Sequence, residues 1–267
     1  MIRFLYFIAA LLGLIVLAWF VIVDEHAYGE SPSHRLDVYS MPNAENAPII
    51  LMLHGGSWSS GSKRWPDVWF AKAKHWLPKG YIFVSARTRL LPEADQLDQA
   101  EDFAAALAYV QKNAHEWGGD KDRVILMGHS SGGHIASLVA TRQALLERVG
   151  AIAPVGAIML DTSVIDIEVT MAKSPSGFLR RFFGSDKALW RAASPSTYMD
   201  PADPPLLFAC ATNRAWPCQS ARAFAALASQ VSVLPVDRDH RGVNASLGRP
   251  GDYTDAVDQW LRERGLP

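Results

Sequence analysis

A chain of 267 residues, 49% hydrophobic and with a formal net charge of -1, is long enough for one large domain with a sizeable core. The near-neutral balance, with no basic block and no low-complexity tract, excludes a nucleic-acid binder that works by charge. Cys210 and Cys218 are the two cysteines, and with no histidine at ligand spacing they argue against a zinc site.

Residues 1–3 form a short basic tip, and Phe4 to Val23 is a run of 20 residues without a charge. That is long enough to cross a bilayer as a helix. Arg3 precedes the run and Asp24, Glu25 and Glu30 follow it, so a membrane anchor would leave the rest of the chain outside the cytoplasm. A cleaved signal peptide, with Ala27-Tyr28-Gly29 as an imperfect small-residue site, is the competing reading and would make the protein secreted. Residues 24–34 then read as a linker and 35–267 as the globular domain. In an exported domain Cys210 and Cys218 are candidates to pair, with two buried free thiols as the alternative.

Strands are predicted at 36–41, 48–54, 80–86, 123–127, 154–160, 206–212 and 231–236, and helices near 66–77, 94–117, 131–148, 219–229 and 252–264. Buried apolar strands alternating with amphipathic helices define an α/β domain, with a mostly parallel sheet covered on both faces. The stretch 165–198 breaks the rhythm with Pro175, Phe178, Phe182, Phe183 and Trp190. It reads as a helical insertion roofing the site, or as a surface excursion with its own small core.

Two motifs carry chemistry. His54-Gly55-Gly56-Ser57-Trp58 directly follows the apolar run Pro48 to Leu53. Two glycines there let backbone N–H groups approach a ligand, and with the N–H of Ser131 they would hold an oxyanion. His54 reads as a residue that holds the loop, and Trp58 as a wall of the pocket. The second motif is Gly128-His129-Ser130-Ser131-Gly132, between the strand ending at Met127 and a small-residue helix. A serine on so sharp a strand-to-helix turn needs small neighbours, which glycines 128 and 132 supply.

On these two motifs the chain resembles the α/β-hydrolase superfamily. More narrowly it resembles the esterase/lipase branch with His-Gly-Gly in the oxyanion loop, which includes feruloyl-esterase-like and kynurenine-formamidase-like proteins. The resemblance covers roughly residues 35–265 and implies an α/β-hydrolase fold with 165–198 as a short helical cap. It implies acyl transfer on Ser130, an oxyanion hole from Gly55, Gly56 and Ser131, and the chain order serine, acid, histidine. Only His134 and His240 follow Ser130. His134 lies one turn along the nucleophile helix and reads as a packed residue, so His240, in a polar loop after the last strand, is the base.

The acid normally follows strand 206–212, yet no Asp or Glu occurs from Pro204 through Val236. The expected position falls on or near Asn213. Asn213 as a neutral orienter of His240, Asp161 supplying a carboxylate from one strand earlier, and Asp237 or Asp239 reaching back within the histidine loop all stay open. So does a site without an effective orienter. Asp166, and Arg89 with Asp102, read as structural. The expected activity is hydrolysis of a small carboxylic ester through an acyl-enzyme on Ser130, with His240 as general base and no metal or organic cofactor. The expected partners are the small-molecule ester and, through residues 4–23, a membrane. An amidase of the formamidase type and a membrane-tethered binding protein with little catalysis are the alternatives.

Overall fold

The computed structural model describes residues 4–5, 22–173 and 177–267. The described strands are β1 (Phe4–Leu5), β2 (Ile22–Ala27), β3 (Arg35–Ser40), β4 (Ala47–Leu53), β5 (Ile82–Arg87), β6 (Gly119–His129), β7 (Gly156–Leu160), β8 (Leu206–Ala211) and β9 (Val231–Val236). They form one sheet in the order β1-β2-β3-β5-β4-β6-β7-β8-β9. From β5 to β9 every neighbouring pair is parallel, and β1, β2 and β3 continue the edge antiparallel.

The central strands have no polar face because both faces are covered. Along β4, Ile49, Leu51 and Leu53 enter one apolar core while Ile50 and Met52 enter the other, on the opposite side of the sheet. The helices that supply the covering are α1 (Pro66–Trp76), α2 (Gln96–Asn113), α3 (Ser131–Thr141), α4 (Gln143–Val149), α5 (Ile167–Lys173), α6 (Gly177–Phe183), α7 (Lys187–Ala192), α8 (Ala215–Ala225), α9 (His240–Ala245) and α10 (Asp252–Arg262). The start of α2 is fixed by a reciprocal capping box between Asp95 and Asp98.

Several expectations need correction. The single helix predicted over 131–148 is two, because Arg142 leaves the helical region at φ -109°, ψ 77°. The helix predicted at 219–229 starts earlier, at Ala215. Residues 1–3 and 6–21, which hold most of the expected anchor, lie outside the described residues. Its ends are not helical: Phe4 and Leu5 pair with Val23 and Ile22. Beyond them β2 takes six residues, Ile22–Ala27, into register with β3, so the expected linker 24–34 begins inside the sheet. The cause is an edge strand, β3, whose free backbone groups need a partner. Salt bridges from Lys63 and Arg64 to Glu25 of β2 and Asp37 of β3 fasten that pair to the loop between β4 and α1. Among the described residues no helix is long and apolar enough to cross a membrane.

Candidate active site

All the site residues lie at the carboxyl ends of parallel strands, where an open α/β sheet presents its loops. Ser130 joins β6 to α3 at φ 54°, ψ -118°, a conformation that L side chains rarely adopt. The turn is tight enough to exclude side chains on both sides. A Cβ at Gly128 would lie 2.2 Å from the Gly132 carbonyl oxygen, and one at Gly132 would lie 2.3 Å from the His54 carbonyl oxygen. The Ser130 N–H donates to the Leu160 carbonyl of β7 at 2.9 Å, which fixes the elbow to the neighbouring strand.

The loop after β4 stands directly over this serine. A Cβ on Gly55 would be 3.1 Å from the Ser130 Cβ, and Gly56 turns at φ 133°. Among the described residues, the N–H groups of Gly55 and Gly56 make no hydrogen bond, and Ser131, first in α3, has no acceptor within the helix. Three donors are thus free around the serine hydroxyl. His54 holds the loop as expected: its Nδ1 is 2.8 Å from the Gly55 carbonyl, and burial pushes its pKa down to about 4.

Trp58 is not an open wall. Its indole is buried, donates to His134 Nδ1 at 3.1 Å, and packs edge-on against Phe183 of the insertion. The other ring nitrogen of His134 donates to the Ala193 carbonyl at 2.7 Å. His134 is therefore a neutral bracket joining α3, the loop after β4 and the insertion, and burial lowers its pKa to about 4. The insertion itself is α5, α6 and α7, with Leu179, Phe183 and Trp190 buried in the main core. Asp166 caps α5 through the Val169 N–H at 2.9 Å, and Arg89 grips Asp102 with its side chain, both structural roles.

His240 is the first residue of α9 and not part of an irregular loop, since Asp239 caps that helix by accepting from the Gly242 N–H at 2.5 Å. Asp239 is thereby occupied and does not reach the imidazole. The imidazole has three polar neighbours: Nε2 is 3.1 Å from Ser130 Oγ, and Nδ1 is 2.6 Å from both Asp161 Oδ2 and Arg214 Nη1. Asp161 can only accept and Arg214 can only donate; with the Nδ1 proton given to the carboxylate, Nε2 has its lone pair for the serine hydroxyl.

Asp161 comes from the end of β7, at φ 49°, a left-handed turn that aspartate tolerates better than most residues. Its side chain is fully buried, while those of His240 and Arg214 are 40% and 42% exposed. The Ala211 N–H donates to Oδ1 at 2.8 Å, and Arg214 Nη1 pairs with Oδ2. Burial alone would push this carboxyl up. The hydrogen bonds from His240 and Ala211, with the Arg214 charge, outweigh it and hold the group below the usual carboxylate range.

Asn213 is exposed in the turn after β8 and makes no hydrogen bond to the imidazole, so the structure does not bring it to His240. The physical reason is the next residue. Arg214 turns its guanidinium inward onto Asp161, so the turn that would carry the acid carries its counter-charge instead. The Cys210–Cys218 disulfide closes an eight-residue separation around that turn.

Three contributors went unread in the sequence: Arg214, the Ala211 N–H, and His129, whose Nε2 lies 2.9 Å from the His240 carbonyl. An arginine beside the vacant acid position was the available signal for the first. Nothing local signalled the other two. Among the described residues no group of His, Cys, Asp or Glu side chains is arranged to hold a metal ion.

Comparison with known proteins agrees with this architecture. Esterase B of Lactobacillus rhamnosis superposes at TM-score 0.69 with 21% identity, over 91% of this chain and 85% of that one. Esterase 2 of Thermogutta terrifontis gives TM-score 0.68 over 91% and 95%, also at 21% identity. In sequence, a probable isoprenylcysteine alpha-carbonyl methylesterase of Arabidopsis thaliana is 31% identical over 45% of this chain and 25% of its own length. A probable carboxylic ester hydrolase of Mycobacterium tuberculosis is 33% identical over 43% and 27%. The matched stretch thus spans about a quarter of the length of these two relatives. The model of the BD-FAE family matches residues 36–226, from β3 through α8, and so takes in both motifs and Asp161. The chain belongs to the BD-FAE family, in the esterase/lipase branch of the α/β-hydrolases.

Proposed function

We propose that the protein hydrolyses a small carboxylic ester in two steps through an acyl-enzyme on Ser130. The observation that carries this reading is the continuous line from Ser130 Oγ through both ring nitrogens of His240 to the buried carboxylate of Asp161. As Oγ attacks the ester carbonyl, its proton passes to His240 Nε2, and the imidazolium is stabilised by the Asp161 charge at Nδ1. The carbonyl oxygen becomes an oxyanion and takes hydrogen bonds from the N–H groups of Gly55, Gly56 and Ser131. Each such donor is worth about 3 kcal/mol to the transition state. His240 then returns the proton to the departing alkoxide, and the same group deprotonates the water that cleaves the acyl-enzyme. Relatives named as methylesterase and carboxylic ester hydrolase support esters as the substrate class.

The expectation of weak catalysis rested on the missing acid after β8, and the carboxylate of Asp161 beside His240 Nδ1 supports the catalytic reading over it. A fluorophosphonate probe tests the reading on the intact chain. Labelling of the parental protein that disappears in Ser130→Ala, together with turnover of short-chain nitrophenyl esters, is the expected result. A folded parental protein that takes no label sinks it.

A further inference from the structure

We propose that His129, the residue immediately before the nucleophile, is a positioning residue that ties the base to the elbow. The inference rests on the catalytic reading of Ser130 and His240 given above.

The geometry is specific. His129 Nε2 is 2.9 Å from the backbone carbonyl of His240, and a carbonyl can only accept, so Nε2 carries the proton. The two imidazole rings lie 4.7 Å apart, tilted by 37°. On its other side His129 meets the oxyanion loop, where a Cβ on Gly55 would lie 2.9 Å from His129 Nδ1. One side chain therefore touches the carrier of the base and the glycine over the serine, and it is covalently joined to Ser130.

Burial, with the neighbouring His240 adding to it, lowers the pKa of His129 to about 3. The ring is therefore neutral at working pH. It takes no proton from the reaction and adds no positive charge that would oppose the imidazolium on His240.

The rest of α9 has its own anchors, which separate positioning from folding. Lys72 of α1 is buried and donates to the Asn244 carbonyl at 2.7 Å and to Asn244 Oδ1 at 2.8 Å. Arg241 pairs with Asp67 of the same helix at 2.6 Å. These hold the second residue and the far end of α9 against α1. Among the described residues, only the His129 bond joins the His240 backbone itself to the elbow. Losing it leaves α9 docked but lets its first residue shift relative to Ser130, and a displacement of about 1 Å costs on the order of 100-fold in rate.

The test compares His129→Gln, His129→Asn and His129→Leu in the full chain. Glutamine places an amide N–H near the position of Nε2; asparagine is too short to reach the carbonyl, and leucine has no donor. The expected result is a kcat for the glutamine variant within about fivefold of the parent, and a fall of about 10- to 100-fold for the other two, with KM within about twofold in all three. The rate of fluorophosphonate labelling should fall in the same order. Equal kcat in the glutamine and asparagine variants overturns the assignment, as does a drop in melting temperature with no drop in kcat. If leucine prevents folding, the two polar variants still decide. Labelling of the parent reports separately on the catalytic reading.

Discussion

The two halves of the site are built by different means. On the elbow side, Ser130 and the loop after β4 are shaped by exclusion: Gly128, Gly132, Gly55 and Gly56 are glycine because neighbouring backbone, of the same turn or of the facing one, occupies the space a side chain would need. Three histidines on that side are neutral, His54 and His134 buried and His129 half-buried, and each bonds a carbonyl or an indole. On the acid side nothing is closely packed in this sense. Asp161, Arg214 and His240 meet as charged and polar side chains, two of them around two-fifths exposed, with a disulfide bracing the turn between them. Steric exclusion fixes geometry without any charge, whereas the acid side depends on ionisation and on groups brought from three separate strands.

The largest effect should come from breaking the acid side at its buried member. Asp161→Asn preserves volume but removes the charge that stabilises the imidazolium, and kcat is expected to fall by about 10⁴. Asn213→Ala, at the position where the acid would ordinarily stand, should leave kcat within about twofold, since its side chain makes no bond to the base. Steady-state kinetics on the two variants decides between the strands, and a large loss in the alanine variant would reverse the assignment.

The elbow side should break by unfolding. Gly132→Ala forces a Cβ against the His54 and Leu53 carbonyl oxygens at 2.3 and 2.5 Å, which are backbone and cannot turn away. Overpacking of this kind costs about 3 kcal/mol or more, so the urea midpoint should fall together with activity. An alanine variant of parental stability would show that the turn is looser than its contacts indicate.

A milder contrast is in pH. His54, His129 and His134 have folded-state pKa values of about 4, 3 and 4, below the unfolded value of 6.5. Below pH 6.5 the unfolded chain binds protons that the folded chain refuses. The stability is therefore fully present above that value and is lost as pH falls toward about 4. Between pH 6.5 and 5.5 the loss should be about 1 kcal/mol per histidine. Urea denaturation across this range checks it. A flat profile would mean that these rings accept protons in the folded state.

The same contrast explains what the sequence disclosed. The elbow and the oxyanion loop were legible because each is a contiguous motif whose steric demand is met by its own glycines, and His240 followed from chain order. Asp161 could be named but not chosen over Asn213, because the choice depends on the direction in which a left-handed turn at the end of β7 points one carboxylate. Arg214 was unread for the same reason: its role exists only once β7 and β8 lie side by side. The strand Ile22–Ala27 was hidden by the apolar run before it, which outweighed a short edge pairing with β3. His129 stood in plain view within the motif, but its acceptor lies 111 residues away.

The bond from the Ser130 N–H to the Leu160 carbonyl places the nucleophile and the residue before the acid on a single rung between β6 and β7. Their separation is then a sheet constant, the spacing of adjacent strands at about 4.8 Å, and not a property of any loop. Grafts or length changes in the segment after β9 would move the base, and those after β8 would move Arg214, with that spacing unchanged. The reach of the imidazole and the placing of the Arg214 charge are the adjustable dimensions in the relay, so recombining these segments among relatives should retune rate without dismantling the serine–carboxylate pair.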